Sequence, residues 1–446
     1  MVCSPAPPTH WAHHRLLFTT TMLRSTTALL TASLLYLSSC AETVQEDRPQ
    51  SEILISASHH MFAFGGQQDF DEFPVPQAQV SADRGLLTLS DSGGYTVTRP
   101  SQPSAAAQDY ALEKDGAFAL LVPLPNAAPT RFLGAYQQSD TGDDQTQVYF
   151  FTDRYAPATS PSVGLFWGTR TQGAPSQLTD DPLGDWLLFS LHVIFSQSTV
   201  HNPDDVARAV RSTLSITENA SPLMPAVVAE KDIPPGADPA YRRTESSAGV
   251  LSIDGGTASG FPDGAVSLNF DFGGDPRSFL AGRANDVILG LDDDETTGET
   301  GLVAMVRRTE FTDANAAQVS LAGTYLFGMH TTFVAPTNSG TDAANGTIEF
   351  NEQGGWQLDG IGSDGPVLGA FSYSGSYNFV QVQDPDNPGV YTNLIKLQVS
   401  NTNETWHAAI DQHYKVMVIL DHEIEVRSPG VSPELSLALA IKRVEN

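Results

Sequence analysis

Leu435-Ser436-Leu437-Ala438-Leu439-Ala440-Ile441-Lys442-Arg443 is an apolar run that closes on two cations. Gly301-Leu302-Val303-Ala304-Met305-Val306-Arg307-Arg308 has the same form. So, more loosely, does Gly164-Leu165-Phe166-Trp167-Gly168-Thr169-Arg170. Short apolar runs with such ends read as buried strands. Three similar endings predict three similar units.

Three further markers precede each ending in the same order. Leu326-Phe327-Gly328-Met329-His330-Thr331-Thr332-Phe333 matches Leu188-Phe189-Ser190-Leu191-His192-Val193-Ile194-Phe195, with a weaker copy at Ile55 to Phe62. All three contain His-x-x-Phe, at His59, His192 and His330. Gly346 to Phe350 runs through Gly354-Gly355 into Trp356-Gln357-Leu358, and Gly85 to Leu89 runs through Gly93-Gly94 into Tyr95-Thr96-Val97; in the middle unit only the strand survives, as Ser212 to Ile216. Paired glycines supply the positive φ of a tight hairpin. An apolar strand then runs from Val148 to Asp153, Val287 to Asp292 and Val416 to Asp421, each Asp ending its strand at a turn. The markers recur roughly every 130–140 residues, a tandem repeat.

Alternation of period two dominates beyond residue 52, and helical periodicity is nearly absent. The fold class is therefore all-β: three tandem antiparallel meander units, barrel-like, with β-sandwich units as the alternative. Repeat 1 spans 52–170, repeat 2 spans 184–308 with inserted loops, and repeat 3 spans 321–446. Thr171 to Pro182 and Glu310 to Val319 are the linkers. Asn202-Pro203-Asp204-Asp205 followed by Val206-Ala207-Arg208-Ala209-Val210 predicts a capped helix of about two turns. Pro222 to Gly249 reads as a Pro-rich surface excursion. The closing strand is expected to pair back onto the opening His-x-x-Phe strand, removing both edges and leaving its cations to solvent. In strand count and unit length the repeats loosely resemble lipocalin- or avidin-type up-and-down barrels, by architecture only.

The chain has 446 residues, enough for several cores, and a formal net charge of -29. Such a surface repels phosphate backbones, so nucleic acid is not an expected partner. Cys3 and Cys40 are the two cysteines, which leaves no intramolecular disulfide framework.

The N-terminus carries the most specific motif. Met22-Leu23-Arg24 is a short basic start, and Ser25 to Leu37 is an apolar stretch too short to span a bilayer as a helix. Leu37-Ser38-Ser39-Cys40 resembles the lipobox of bacterial lipoproteins. The resemblance implies that Cys40 is lipidated and becomes the mature N-terminus. Residue 41 is Ala. In Gram-negative lipoproteins an Asp there is the inner-membrane retention signal, so its absence points to the outer membrane. The expectation from this resemblance is a signal peptide over 1–39, with Met22 as the start and 1–21 called too early, and a lipidated tether over 40–51. The expected partners are the membrane, through that anchor, and an unknown ligand or envelope protein.

No catalytic motif is legible. Asp91-Ser92-Gly93-Gly94 is like the serine-protease signature, but Ser90 precedes it and the third repeat has Glu352-Gln353 at the same turn, so a hairpin is the reading. Nothing fits the lipase elbow, the phosphate loop or the zinc helix. In units two and three alternation puts His192 and His330 opposite the large apolar residues, on a more polar face, as structural strand histidines. One per unit makes a shared metal site only if the units pack around an axis. His407, His413 and His422 lie in the last three strands and are the zinc or copper candidates. The acidic turns Asp292-Asp293-Asp294-Glu295, Asp140 to Asp144 and Asp384 to Gly389 are weak calcium candidates without EF-hand spacing. No other cofactor is implied. Three functions compete: a lipid-anchored module binding a small molecule, glycan or protein; a structural or assembly lipoprotein of the envelope; and an enzyme with an unrecognised site.

Overall fold

The computed structural model describes residues 53–68, 78–99, 108–122, 130–137, 148–153, 162–171, 184–194, 206–216, 226–232, 240–246, 250–254, 266–271, 276–284, 286–294, 299–334, 339–364, 367–382, 389–402, 404–421 and 434–444. These fall into three antiparallel sheets taken in chain order.

The first is a closed barrel of β1 (Ala57–Gln68), β2 (Ala78–Leu89), β3 (Gly94–Thr98), β4 (Gln108–Leu112), β5 (Ala117–Val122), β6 (Thr130–Tyr136), β7 (Val148–Asp153) and β8 (Ser162–Thr169). The second contains β9 (Gly184–Ile194), β10 (Val206–Ile216), β11 (Ala226–Asp232), β12 (Ala240–Ser246), β13 (Val250–Asp254), β14 (Val266–Asp271), β15 (Pro276–Ala284), β16 (Val287–Asp294) and β17 (Glu299–Arg307). Its order is β12-β11-β10-β9-β17-β16-β15-β14-β13. The third begins with β18 (Glu310–Phe311) and helix α1 (Ala314–Leu321). A meander follows: β19 (Gly323–Val334), β20 (Ser339–Phe350), β21 (Gly355–Asp364), β22 (Val367–Gln381), β23 (Tyr391–Val399), β24 (Thr405–Ile410), β25 (Val416–Asp421) and β26 (Glu434–Lys442). It closes through β26 on β19, and β18 adds to the edge of β23.

In every unit the closing strand pairs antiparallel with the opening one: β8 with β1, β17 with β9, β26 with β19. The third case shows why that run is so apolar. Leu435, Leu437, Leu439 and Ile441 project out of the barrel into one core, while Ala438 and Ala440 project into the lumen. Every residue from Leu435 to Ile441 is buried. A strand covered on both faces has no place for polar alternation.

The outward core belongs to all three units. Phe62, Phe64 and Trp167 of the first meet Phe189, Leu191 and Leu289 of the second and Leu437 and Leu439 of the third. The packing is cyclic. β1 and β2 lie against β16 and β17; β9 and β10 lie against β25 and β26; β19 and β20 lie against β7 and β8. The first two strands of each unit thus pack on the last two of the next, in a head-to-tail ring that closes after three. Polar bonds cross each boundary. Trp167 Nε1 donates to the Gly290 carbonyl (3.2 Å), Asn345 Nδ2 donates to Thr152 Oγ1 (2.7 Å), and Asn393 Nδ2 donates to the Arg307 carbonyl (2.9 Å). The first and third sheets approach closely at Gly328, where a Cβ would lie 2.4 Å from the Phe150 ring.

Four expectations are corrected. The segment from Val206 is strand β10, not a helix, because both faces are claimed: Ala207 and Ala209 enter the shared core, while Val210 and Leu214 are buried on the other face. Asn202 to Asp205 lies outside the described residues. The stretch from Pro222 to Gly249 carries β11 and β12, paired onto β10. The second linker is ordered: Asp313 caps α1 by accepting from Ala316 N, and Ala317 and Leu321 are buried in the third barrel's core. The closing cations are engaged. Arg443 pairs with Asp115 of the first barrel (Nη2 to Oδ2, 2.6 Å), and Arg307 lies over the Trp186 ring and pairs with Asp286 (3.1 Å). An isolated cation in a chain this acidic finds carboxylates in reach.

The chain enters the first barrel at Ile53 and Ile55, which pack on its lumen cluster; Ile53 N donates to the Leu112 carbonyl and Ile55 N to Tyr110 Oη. This is also the end of Asp115, and hence of the third unit's C-terminus.

Candidate functional site

Opening-strand histidines fall on different faces in different units. His192 and Asp292 lie on one lateral row, because His192 pairs with Gly301 and Gly301 with Asp292. Gly301 is what lets them meet: a Cβ there would lie 2.7 Å from His192 Nδ1. His192 Nδ1 lies 3.1 Å from Asp292 Oδ2, and Nε2 lies 2.8 Å from Ser190 Oγ. Ser190, two residues before His192, shares its face. The connectivity is that of a nucleophile, a base and an orienting carboxylate. Two features set it apart from a working triad. The Nδ1–Oδ2 contact is short but not aligned as a hydrogen bond, and Ser190 is 1% exposed, with His192 at 4% and Asp292 at 0%. A serine closed to substrate holds a histidine in place; it does not attack a carbonyl.

In the first barrel His59 Nε2 lies 2.9 Å from Tyr136 Oη, and the ring is T-shaped to Tyr136 and Tyr149. His59 therefore belongs to the barrel interior, as His192 belongs to the interior face of its sheet. His330 does the opposite. It shares the outward face of Gly328 and Leu437 and meets Phe64 of the first barrel, ring centroids 4.6 Å apart. Closing-strand and Asp rows align His192 with Thr331, not His330 (Asp421 pairs with Ser436, and Ser436 with Thr331). None of the three stands on a polar, solvated face: all are buried. The units do pack around an axis, but His59 and His192 point into their own units.

His407 is buried on β24, paired with Lys396 and Leu420. His413 is in the β24–β25 turn beside Gln412. His422 and Cys40 lie outside the described residues. Among the described residues no group of three or more His, Cys, Asp or Glu is placed to hold a metal ion. Of the acidic turns, Asp292–Asp294 belongs to β16, so Asp292 does not end its strand; the carboxylates of the other two lie outside the described residues.

Barrel interiors are packed with rings. Tyr95, Tyr110, Phe118, Tyr136, Tyr149 and Phe151 cluster in the first, and Tyr325, Phe350, Trp356, Tyr377 and Trp406 in the third. Their polar ends are satisfied internally: Tyr149 Oη donates to the His60 carbonyl, and Tyr325 Oη to the Leu321 and Tyr414 carbonyls. Burial pushes the Tyr149 and Tyr325 hydroxyls well above their usual range.

The turn at Asp91-Ser92-Gly93-Gly94 joins β2 to β3, with Gly93 at φ +82°, and Gly354 repeats it at +83°. It is the hairpin the sequence implies. Sequence reading missed Asp292 and Tyr136 as the partners of His192 and His59, because spacing along one strand does not report what a meander brings from another.

No protein-family model matches the chain, and no curated protein matches it. Among solved structures, transferrin binding protein B from Haemophilus parasuis (a Trp-176-Ala mutant) aligns with TM-score 0.28 and 8% identity, over 88% of this chain and 77% of that one. The intact two-lobed Ap-TbpB aligns with TM-score 0.24 and 9% identity, over 88% and 78%. The Pseudomonas aeruginosa protein OpdQ aligns with TM-score 0.11 and 11% identity, over 86% and 96%. Likeness at these scores carries no argument about this chain.

Proposed function

We propose that the chain is a lipid-anchored lipoprotein of the bacterial outer membrane or cell surface, and that its three-unit body binds a protein or glycan through its exterior. The observation that carries this reading is the filling of the barrel interiors by interlocked aromatic rings. Small-ligand sites are concave and largely pre-formed. A lumen occupied by Trp356, Trp406 and Tyr377 leaves the outer surface and the strand ends for contact. The Cys40 lipobox supplies the anchor, and Ala41 the outer-membrane destination. A structural envelope role uses the same exterior and is the second reading.

Two measurements test it. Radiolabelled palmitate should enter the wild type and not Cys40→Ala; equal labelling of both would remove the anchor. Native mass spectrometry of protein purified from its host should find a co-purifying protein or glycan. A stoichiometric small molecule retained by the chain would contradict exterior binding.

A further inference from the structure

Six large apolar side chains stand exposed among the described residues, and three of them, Leu54, Val319 and Val444, collect at the end where the chain enters the first barrel. Ile53 and Ile55 turn onto that barrel, so residue 54 turns to water; it is Leu, 54% exposed. Helix α1 carries no charge and turns Asn315, Ala316, Val319 and Ser320 outward, with Val319 56% exposed. Val444 follows the closing cations and is 41% exposed. Contacts join the three sites. Ile53 N donates to the Leu112 carbonyl, and Val444 N to the carbonyl of Asp115 on the adjoining turn. Lys442 Nζ, two residues before Val444, donates to the Ser320 carbonyl beside Val319 (2.9 Å). Of the other exposed apolar residues, Leu133 stands on β6, and Ile361 and Leu368 flank the β21–β22 connection at the far end of the third barrel.

We propose that this end of the molecule lies on a phospholipid surface, with Leu54, Val319 and Val444 held in its headgroup layer. The proposal rests on the reading of Cys40 as the lipid anchor. Cys40 precedes Ile53 by 13 positions, so an anchored chain keeps this end within about 45 Å of the bilayer even when that stretch is fully extended. Single apolar residues on a surface are ordinary. These three are set apart by their place: each faces water where an acidic chain has charge to spare, and all stand at the end nearest the anchor in sequence.

Short apolar side chains on a folded body enter only the headgroup boundary. Three of them are too few to hold a membrane alone. A short flexible tether makes their contact intramolecular, at an effective concentration on the order of millimolar. The same attachment argues for lipid over a protein partner, because it holds this end beside the bilayer continuously. Lys114 and Arg443 are exposed on the rim of the patch, and so are Asp91 and Glu113. A rim of both signs suits zwitterionic headgroups, whereas the net charge of -29 opposes approach to an anionic surface.

Coupling Cys40 of residues 40–446, where it is the sole cysteine, to a maleimide phospholipid in phosphatidylcholine vesicles tests this. The thiol link supplies the anchor chemically, so the result is independent of acylation in the cell, which palmitate labelling decides separately. Hydroxyl-radical footprinting then compares the coupled chain with the same chain capped at Cys40 and free in solution. Labelling of Leu54, Val319 and Val444 should fall by about threefold or more on coupling, because side chains in the headgroup layer leave bulk water. Ile361 and Leu368, comparably exposed at 45% and 51%, should keep their labelling. Leu54→Ser combined with Val444→Ser, both at exposed positions, should restore the labelling of Val319. Four results overturn the proposal: all five residues labelled equally in both forms, Ile361 and Leu368 protected in place of the patch, Val319 still protected in the double variant, or a patch labelled far below Ile361 and Leu368 in the free chain, which marks a second copy as its cover.

Discussion

Glycine does the decisive work at single positions. At Gly301 an added methyl would meet the Leu191 carbonyl at 2.3 Å as well as the His192 ring. Gly301→Ala should destabilise the second unit by about 1–3 kcal/mol, the usual result of overpacking a filled site, read as a lower urea midpoint. Asp292→Asn, which keeps the shape, should cost less than Asp292→Ala; equal midpoints would show that His192 gains nothing from the oxygen. These histidines also mark where the sequence stopped being legible. The His-x-x-Phe pattern located three opening strands, yet a one-residue offset in the third unit reverses the face on which His330 stands. Faces are fixed by which partner strand supplies the covering side chains, and that is not written beside the histidine.

Elements were more readable than residues. Closing strands, hairpin glycines and the all-β class follow from local alternation and turn chemistry. β10 did not, because an apolar stretch covered on both faces carries no strand period. For the same reason β26 is more than a latch. Leu437→Ala should cost about 2–5 kcal/mol and weaken contact with the neighbouring units, whereas truncation before Leu435 should unfold the third unit and expose the shared core as well. Protease resistance of the third unit after that truncation would contradict the pairing. The β24–β25 turn makes a pH prediction. Asp411 accepts from Lys415 N and Val416 N through one oxygen, and its carboxyl is pushed up by burial to about 6. A raised acid contributes fully below about 3.8 and loses that contribution as pH rises through about 6. Wild type should therefore lose stability relative to Asp411→Asn between pH 4 and 7, by at most about 1.4 kcal/mol per pH unit; parallel urea midpoints for the two proteins would contradict it.

At the scale of the molecule, the three repeats are a ring and not a string. Each unit offers its first two strands to the last two of the next, so the three barrel-like sheets share one apolar core. The sequence announced repetition but not this arrangement. Packing around an axis depends on the outward faces of closing strands, and an apolar run alone does not say whether its second face meets a lumen, a neighbour or a partner. The ring explains why these endings are uninterrupted and why Arg443 reaches back to Asp115. It also puts the third unit's C-terminus at the end where the chain enters the first barrel.

Small-angle X-ray scattering of residues 41–446 at pH 7.5 tests that ring most directly. A single compact body of this length should give a radius of gyration of about 22 Å and a single-peaked distance distribution. A value near or above roughly 30 Å with a multi-lobed distribution, that of barrels strung on linkers and far from the compact scaling, would contradict the shared core.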